Sequence, residues 1–356
     1  MQIALNVFAV LFGLFLLLLY FRSIVRVVLL NRRERDFVAR LSGLCAVTIV
    51  HLLAGDARNR ERVERVQAWA MPLYIFFVVV TWFLLVQIAF TSILYGTGVE
   101  TRWAPAFVAS GSALSTLGFA TPPGLLGQLL AIYEAGIGLA VVILLFTFVP
   151  GYQAAVEVRE RRVGWLYSRT GQHPNAISLL EAQIKAGRLH DSEWHEWEVW
   201  FRGMLETHAT APILCHVPSI YRGTNWVAAA ATVLDTTSCV MAALDPKHTD
   251  SARLCRETGV MTVRMVAAEL SGDERVLTQE SDAADDLAEF GRLYERLKDL
   301  GLPVKASQEQ CREAFIRLRS EYRPSLRYIS KTTLMPIEPP AVSRPKQDPD
   351  LKSSIA

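Results

Sequence analysis

Three stretches of this sequence are apolar for long enough to cross a lipid bilayer, and few folds can absorb so much unbroken apolar chain. They are residues 3–21, 71–94 and 125–149. At 1.5 Å per helical residue, even the first approaches the roughly 30 Å hydrocarbon thickness. Hydrocarbon offers backbone groups no partner but each other, so each run is read as a helix. The first run has no Lys or Arg before it and no small-x-small cleavage site after it, which reads as a retained anchor rather than a signal peptide.

Charge sets the expected topology. Residues 31–69 carry Arg32, Arg33, Arg35, Arg40, Arg58, Arg60, Arg62 and Arg65, so this loop is expected to be cytoplasmic. Its middle, Val38 to Leu53, is apolar but short, and is broken by Arg40, Ser42, Gly43 and His51. It reads as an interfacial helix along the inner leaflet, with a fourth span as the alternative. The loop after the second span holds only Glu100 and Arg102, whereas Arg159, Arg161 and Arg162 follow the third. The amino terminus and the loop between the second and third spans are then outside, and the carboxyl half is inside.

Beyond residue 150 the apolar residues are mixed with charges, mostly at helical spacing. Trp226 to Leu244 is apolar enough to pass for a span, but Asp235 sits in its middle. It is expected to be a buried helix of a soluble bundle, with Asp235 bonded to a helix end or an Arg. The tail from Pro336 is expected to be disordered. A net charge of +2 argues against a nucleic-acid partner. Five scattered cysteines without a C-x-x-C argue against a disulfide framework or a zinc site. His190, His195, His208 and His216 include no H-E-x-x-H pair. No phosphate loop or nucleophile elbow is present, so no enzyme, catalytic residue, metal or cofactor is expected.

The stretch Ser110–Gly124 lies between the second and third spans, uncharged and rich in small and hydroxyl residues. It begins like a helix and ends in Pro-Pro-Gly, which stops one, giving the outline of a re-entrant loop. Trp103 to Ser115 is expected to form a short pore helix with its carbonyl end aimed at a cation. Thr116 offers a hydroxyl and a carbonyl, Gly118 permits a turned backbone, and Phe119 is expected to pack outward and brace the loop. Glu134 lies inside the third span. An acid there is expected to face the bundle interior, either supporting the pore helix or bonded to a neighbouring helix. Gly136 and Gly138 read either as a hinge or as a close-packing pair.

Span, pore helix, Thr116-Leu-Gly-Phe-Ala120, Pro and span together resemble the two-span pore module of the potassium-channel superfamily, over about residues 70–150. Its filter reads Thr-Val-Gly-Tyr-Gly, followed by an acid and a Pro. Thr116, Leu117, Gly118 and Phe119 match it position by position. Thr121 takes the place of the acid, and Ala120 that of the last Gly. A left-handed backbone there would cost Ala about 1 kcal/mol or more, so the resemblance implies a degenerate filter. The polar half is similar to the cytosolic part of a group of bacterial channel-like membrane proteins, through Trp197 to His208 with Pro212, and Trp226 to Thr236. These likenesses imply an all-α protein of the inner membrane, with three spans, a pore helix and a helical cytosolic domain. Its expected divisions are 1–69 (anchor and Arg-rich segment), 70–151 (pore module), 152–335 (cytosolic domain) and 336–356 (tail). One pore loop per chain implies a homotetramer in membrane lipid, conducting potassium or another monovalent cation. The alternative is a nonconducting sensor or scaffold that acts through its cytosolic domain.

Overall fold

The computed structural model describes residues 2–29, 36–55, 59–171, 173–185, 191–244, 250–272, 283–302, 304–305 and 307–337. Arg32, Arg33, Arg35, Arg58, His190 and the tail from Glu338 lie outside the described residues. Within them the chain is all-helical, with one isolated bridge between Leu244 and Val304. It divides into two compact units, Met1–Val156 and Glu157–Ala356.

The first unit contains α1 (Gln2–Ile24), extended by a wider turn over Val25–Leu29, then α2 (Phe37–Ala54), α3 (Arg60–Gln67), α4 (Ala70–Gly96), α5 (Trp103–Leu114) and the first part of α6 (Gly124–Thr170). α3 and α4 are joined through Ala68 and Trp69, which continue the helical hydrogen bonds, so they act as one rod about 55 Å long. α1 runs antiparallel along its second half. A Cβ on Gly96 would lie 2.6 Å from the Asn6 carbonyl, and one on Gly13 would lie 2.6 Å from the Ala89 carbonyl. Glycine at both points lets two apolar helices pack backbone to backbone.

α2 takes up where α1 stops. Asp36 caps α2 by accepting from the Ala39 amide at 3.0 Å and from the Ser23 hydroxyl at 2.9 Å, while the Trp82 indole donates to Ser23 at 2.9 Å. At its other end, Arg62 Nε donates to the Leu53 carbonyl at 3.1 Å. α2 thus runs from the level of Trp82 to that of Arg62, with Val38, Ser42, Ala46, Val50 and Ala54 buried every fourth residue. It was expected to lie flat on the inner leaflet, with a fourth span as the alternative; what the structure describes is lengthwise packing on α3 and α4.

Five helical stretches are long and apolar enough to cross a membrane: Gln2–Val28, Phe37–Ala54, Arg60–Gly96, Gly124–Thr170 and Trp226–Ala243. These fit an integral membrane protein. The last of them differs from the rest, because 94% of it is buried within its own unit.

The second unit comprises the end of α6, α7 (Ala176–Lys185), α8 (Asp191–His208), a tight turn over Pro212–His216, α9 (Trp226–Ala243), α10 (Asp250–Ser271), α11 (Ala283–Asp299), α12 (Gln308–Ser320) and α13 (Arg323–Thr333). α9 is its axis, packed by α7, α10, α12 and α13. As expected, Asp235 has an Arg partner: it accepts from the Tyr322 hydroxyl at 2.6 Å and from Arg319 at 3.1 Å. Burial, and then the Asp235 charge, push the Tyr322 hydroxyl well above its ordinary pKa, so it stays a donor. Burial also pushes the Cys215 and Cys239 thiols up to about 12, leaving them protonated core residues.

The other polar node lies at the end of α6. Arg159 is fully buried. It pairs with Glu160 at 2.7 Å and donates to the carbonyls of Leu214 at 3.1 Å and Val217 at 2.9 Å. Its Nη1 lies 3.2 Å from His208 Nε2. Arg has only donors, so His208 Nε2 is the acceptor and its proton sits on Nδ1, facing Thr207 Oγ1 at 2.8 Å. Burial, and then the Arg159 charge, hold the His208 pKa well below its usual value.

Two outcomes follow. Asp235→Ala leaves buried Arg319 without its carboxylate and is expected to destabilise the second unit by about 3–5 kcal/mol, read by chemical denaturation of the full chain. For His208, the unfolded chain binds a proton below about pH 6.5 that the folded chain refuses, so stability falls on acidification. The slope His208 contributes is expected to rise towards about 1.4 kcal/mol per pH unit as the pH falls from 6.5 to 5, and His208→Gln is expected to remove it.

Candidate functional site

α5 is a twelve-residue helix held between α4 and α6. Leu94, Ala106 and Ala109 form a small apolar seam with Tyr95, Val99 and Leu130. The Gln87 side chain lies along α5, with its amide nitrogen 3.5 Å from the Phe107 carbonyl. A Cβ on Gly111 would meet that nitrogen at 2.7 Å. Ser110 Oγ is 3.0 Å from the Gln87 carbonyl and 2.5 Å from Glu134 Oε1. Glu134 is 1% exposed, so it faces the interior of the unit, as expected.

The loop after α5 folds back onto one residue, Ser112. Its carbonyl accepts from the Leu117 amide at 3.1 Å and the Gly118 amide at 3.3 Å, and its hydroxyl accepts from the Ala120 amide at 3.0 Å. Successive amides aimed at one oxygen need alternating backbone handedness, which Gly118 supplies at φ +70°. A trans peptide points its C=O opposite to its N–H. The carbonyls of Thr116, Leu117 and Phe119 therefore point away from Ser112.

The loop residues themselves are largely exposed. Leu117 is 71% exposed and Phe119 is 69% exposed. Phe119, expected to pack outward and brace the loop, is thus largely exposed in the single chain. Thr116, Gly118 and Thr121 are also exposed, and Ala120 is half-buried. Left-handed backbone falls on Thr116, at φ 58°, and not on Ala120. The strain of about 1 kcal/mol expected at residue 120 is instead carried by Thr116. The last turn of α5 is not open-ended either. The carbonyls of Gly111, Ser112 and Ala113 accept from the amides of Ser115, Leu117 and Thr116, so the loop itself caps the helix.

The glycine pair separates into two roles. A Cβ on Gly138 would lie 2.1 Å from the Leu114 carbonyl at the end of α5. Gly136 faces open space, and α6 is helical through both. At the start of α6, a Cβ on Gly127 would meet Val99 at 2.8 Å and Pro122 at 3.0 Å. Sequence reasoning missed the roles of Ser112 and Gln87. For Gln87, an amide inside an otherwise apolar run was an available signal.

Elsewhere, no group of three His, Cys, Asp or Glu residues suited to a metal ion occurs among the described residues. A surface hollow lined by His195, Glu198 and Asp250 has its acids facing Arg202 and Arg253. No protein-family model, curated protein or solved structure matches the chain.

Gly138→Ala is expected to push α5 off α6 and destabilise the first unit by about 1–3 kcal/mol, measured by thermal unfolding in detergent and hydrogen exchange of the α5 amides. Gly136→Ala, facing open space in a helix, is expected to be neutral or stabilising by up to about 1 kcal/mol.

Proposed function

We propose that the protein is a subunit of a homotetrameric cation channel of potassium-channel type, set in the inner membrane with its second unit in the cytoplasm. The observation that carries this reading is the convergence of the Leu117, Gly118 and Ala120 amides on Ser112. It turns the carbonyls of Thr116, Leu117 and Phe119 outward together. A cation sheds its water only where oxygens replace it, and a ring of such carbonyls does so. One chain supplies one side of a ring, so about four copies are needed. The exposed Leu117 and Phe119, with the apolar face of α6 at Ile132, Leu139, Ile143 and Phe146, are the surfaces that such an assembly would cover.

In this reading α1, α4 and α6 cross the membrane and α5 with its loop is re-entrant from the outside. α2 continues in the direction of α1 along the α3–α4 rod, so it adds reach on the inner side rather than a return crossing. Potassium or another monovalent cation is the permeant species, and no cofactor is required.

One observation favours the second reading, a nonconducting sensor or scaffold acting through its second unit. The left-handed position falls on Thr116 and not on residue 120, so this loop departs from the repeat of a regular filter.

Cation flux from potassium-loaded liposomes separates the two. Gly118→Ala places a Cβ at φ +70°, at a cost of about 1–2 kcal/mol to the outward carbonyls, and is expected to cut flux about ten-fold or more. A wild-type protein without flux, or one that is monomeric or dimeric in mild detergent, sinks the channel reading.

A further inference from the structure

The Ser110 hydroxyl stands between two oxygens, the Gln87 carbonyl at 3.0 Å and Glu134 Oε1 at 2.5 Å. Both are hydrogen-bond distances. A hydroxyl has one proton to give, and a carbonyl has none. Two such contacts on one hydroxyl require a second proton, and the Glu134 carboxyl is the group at hand that can bring it. An ionised carboxylate only accepts. It would leave one of the two contacts as bare oxygen against oxygen. The Gln87 carbonyl offers no relief, because it also accepts from Thr91 Oγ1 at 2.6 Å. The satisfied arrangement is a chain: Glu134 donates to Ser110, and Ser110 donates to Gln87.

The surroundings leave this proton without a competitor. α4 and α5 contain no Asp, Glu, Lys, Arg or His, and Glu134 is the only such residue on α6 before Glu157. The groups that face it are neutral: Ser110 from α5, and behind it Gln87 and Thr91 from α4. The chain runs across three helices, and α5 is its middle link. Ser110 lies two residues before Ser112, the residue on which the whole loop is hung.

The geometry points to Glu134 as a positioning residue whose acid form braces α5 against α4 and α6, so that removal of its proton releases α5 and the loop built on Ser112. Glu134 then makes the proton a regulator of the proposed pore. The flux consequence rests on the channel reading, but the proton and the brace are measurable without flux.

The test uses the full chain in liposomes. Infrared absorption is expected to contain a protonated-carboxyl band at neutral pH that Glu134→Gln removes. Gln can donate and accept as the acid does but cannot lose its donor. Raising the pH is expected to lower both hydrogen-exchange protection of the α5 amides and cation flux in the wild type, relative to Glu134→Gln, by about ten-fold for one lost hydrogen-bond link of about 1.4 kcal/mol. Glu134→Ala and Ser110→Ala are expected to be loosened at every pH. The proposal is overturned by absence of the band at neutral pH, by Glu134→Gln loosening α5 as much as Glu134→Ala, or by identical pH profiles in the wild type and Glu134→Gln. If Glu134→Gln does not fold, a wild-type protection profile that is flat with pH overturns it equally. If the band and the protection pattern are found but no variant passes cations, the brace stands and the channel reading fails.

Discussion

In hydrocarbon an unpaired backbone group costs several kcal/mol, and a short helix that ends among helices apolar enough to cross a membrane carries such groups at its end. The first unit is arranged to meet that constraint for α5. Three of its last carbonyls receive amides from its own loop, and the fourth, on Leu114, is packed against Gly138. Small residues stand wherever these backbones approach: Gly111 under Gln87, Gly138 under Leu114, and Gly127 under Pro122. The same bonding that closes the helix end leaves the carbonyls of Thr116, Leu117 and Phe119 without a hydrogen bond among the described residues. Satisfying one set of groups is what exposes the other.

Much of this was legible in the sequence as a set of requirements, and less as a set of partners. Apolar runs of 19 to 25 residues dictate helices whatever their neighbours. Glu134 was legible because a carboxyl in such a run must find a partner. Ser112 was not, because Ser110, Ser112 and Ser115 look alike until the path of the loop is known. Gly136 and Gly138 differ by about 200° around a helix, so only one could meet α5, and spacing alone does not say which. α2 shows the same limit. Its broken apolar pattern is compatible with a helix flat on a surface, and only the contacts of Asp36 and Leu53 reveal that it follows α3 and α4.

In the second unit the burial of α9 was legible in the sequence, and the polar nodes were so unevenly. Asp235 stood out within the Ala-rich α9. Arg159 did not, because it sits in a cluster with Arg161 and Arg162 that reads as a topology signal. The three point in different directions, since each helical residue turns by 100°. Arg159 is buried against Glu160 and the turn after α8, and Arg161 is exposed. Arg162 is stacked on both Trp165 and Trp197. A charged side chain in a helix is assigned by its face, and the face is a property of the packing.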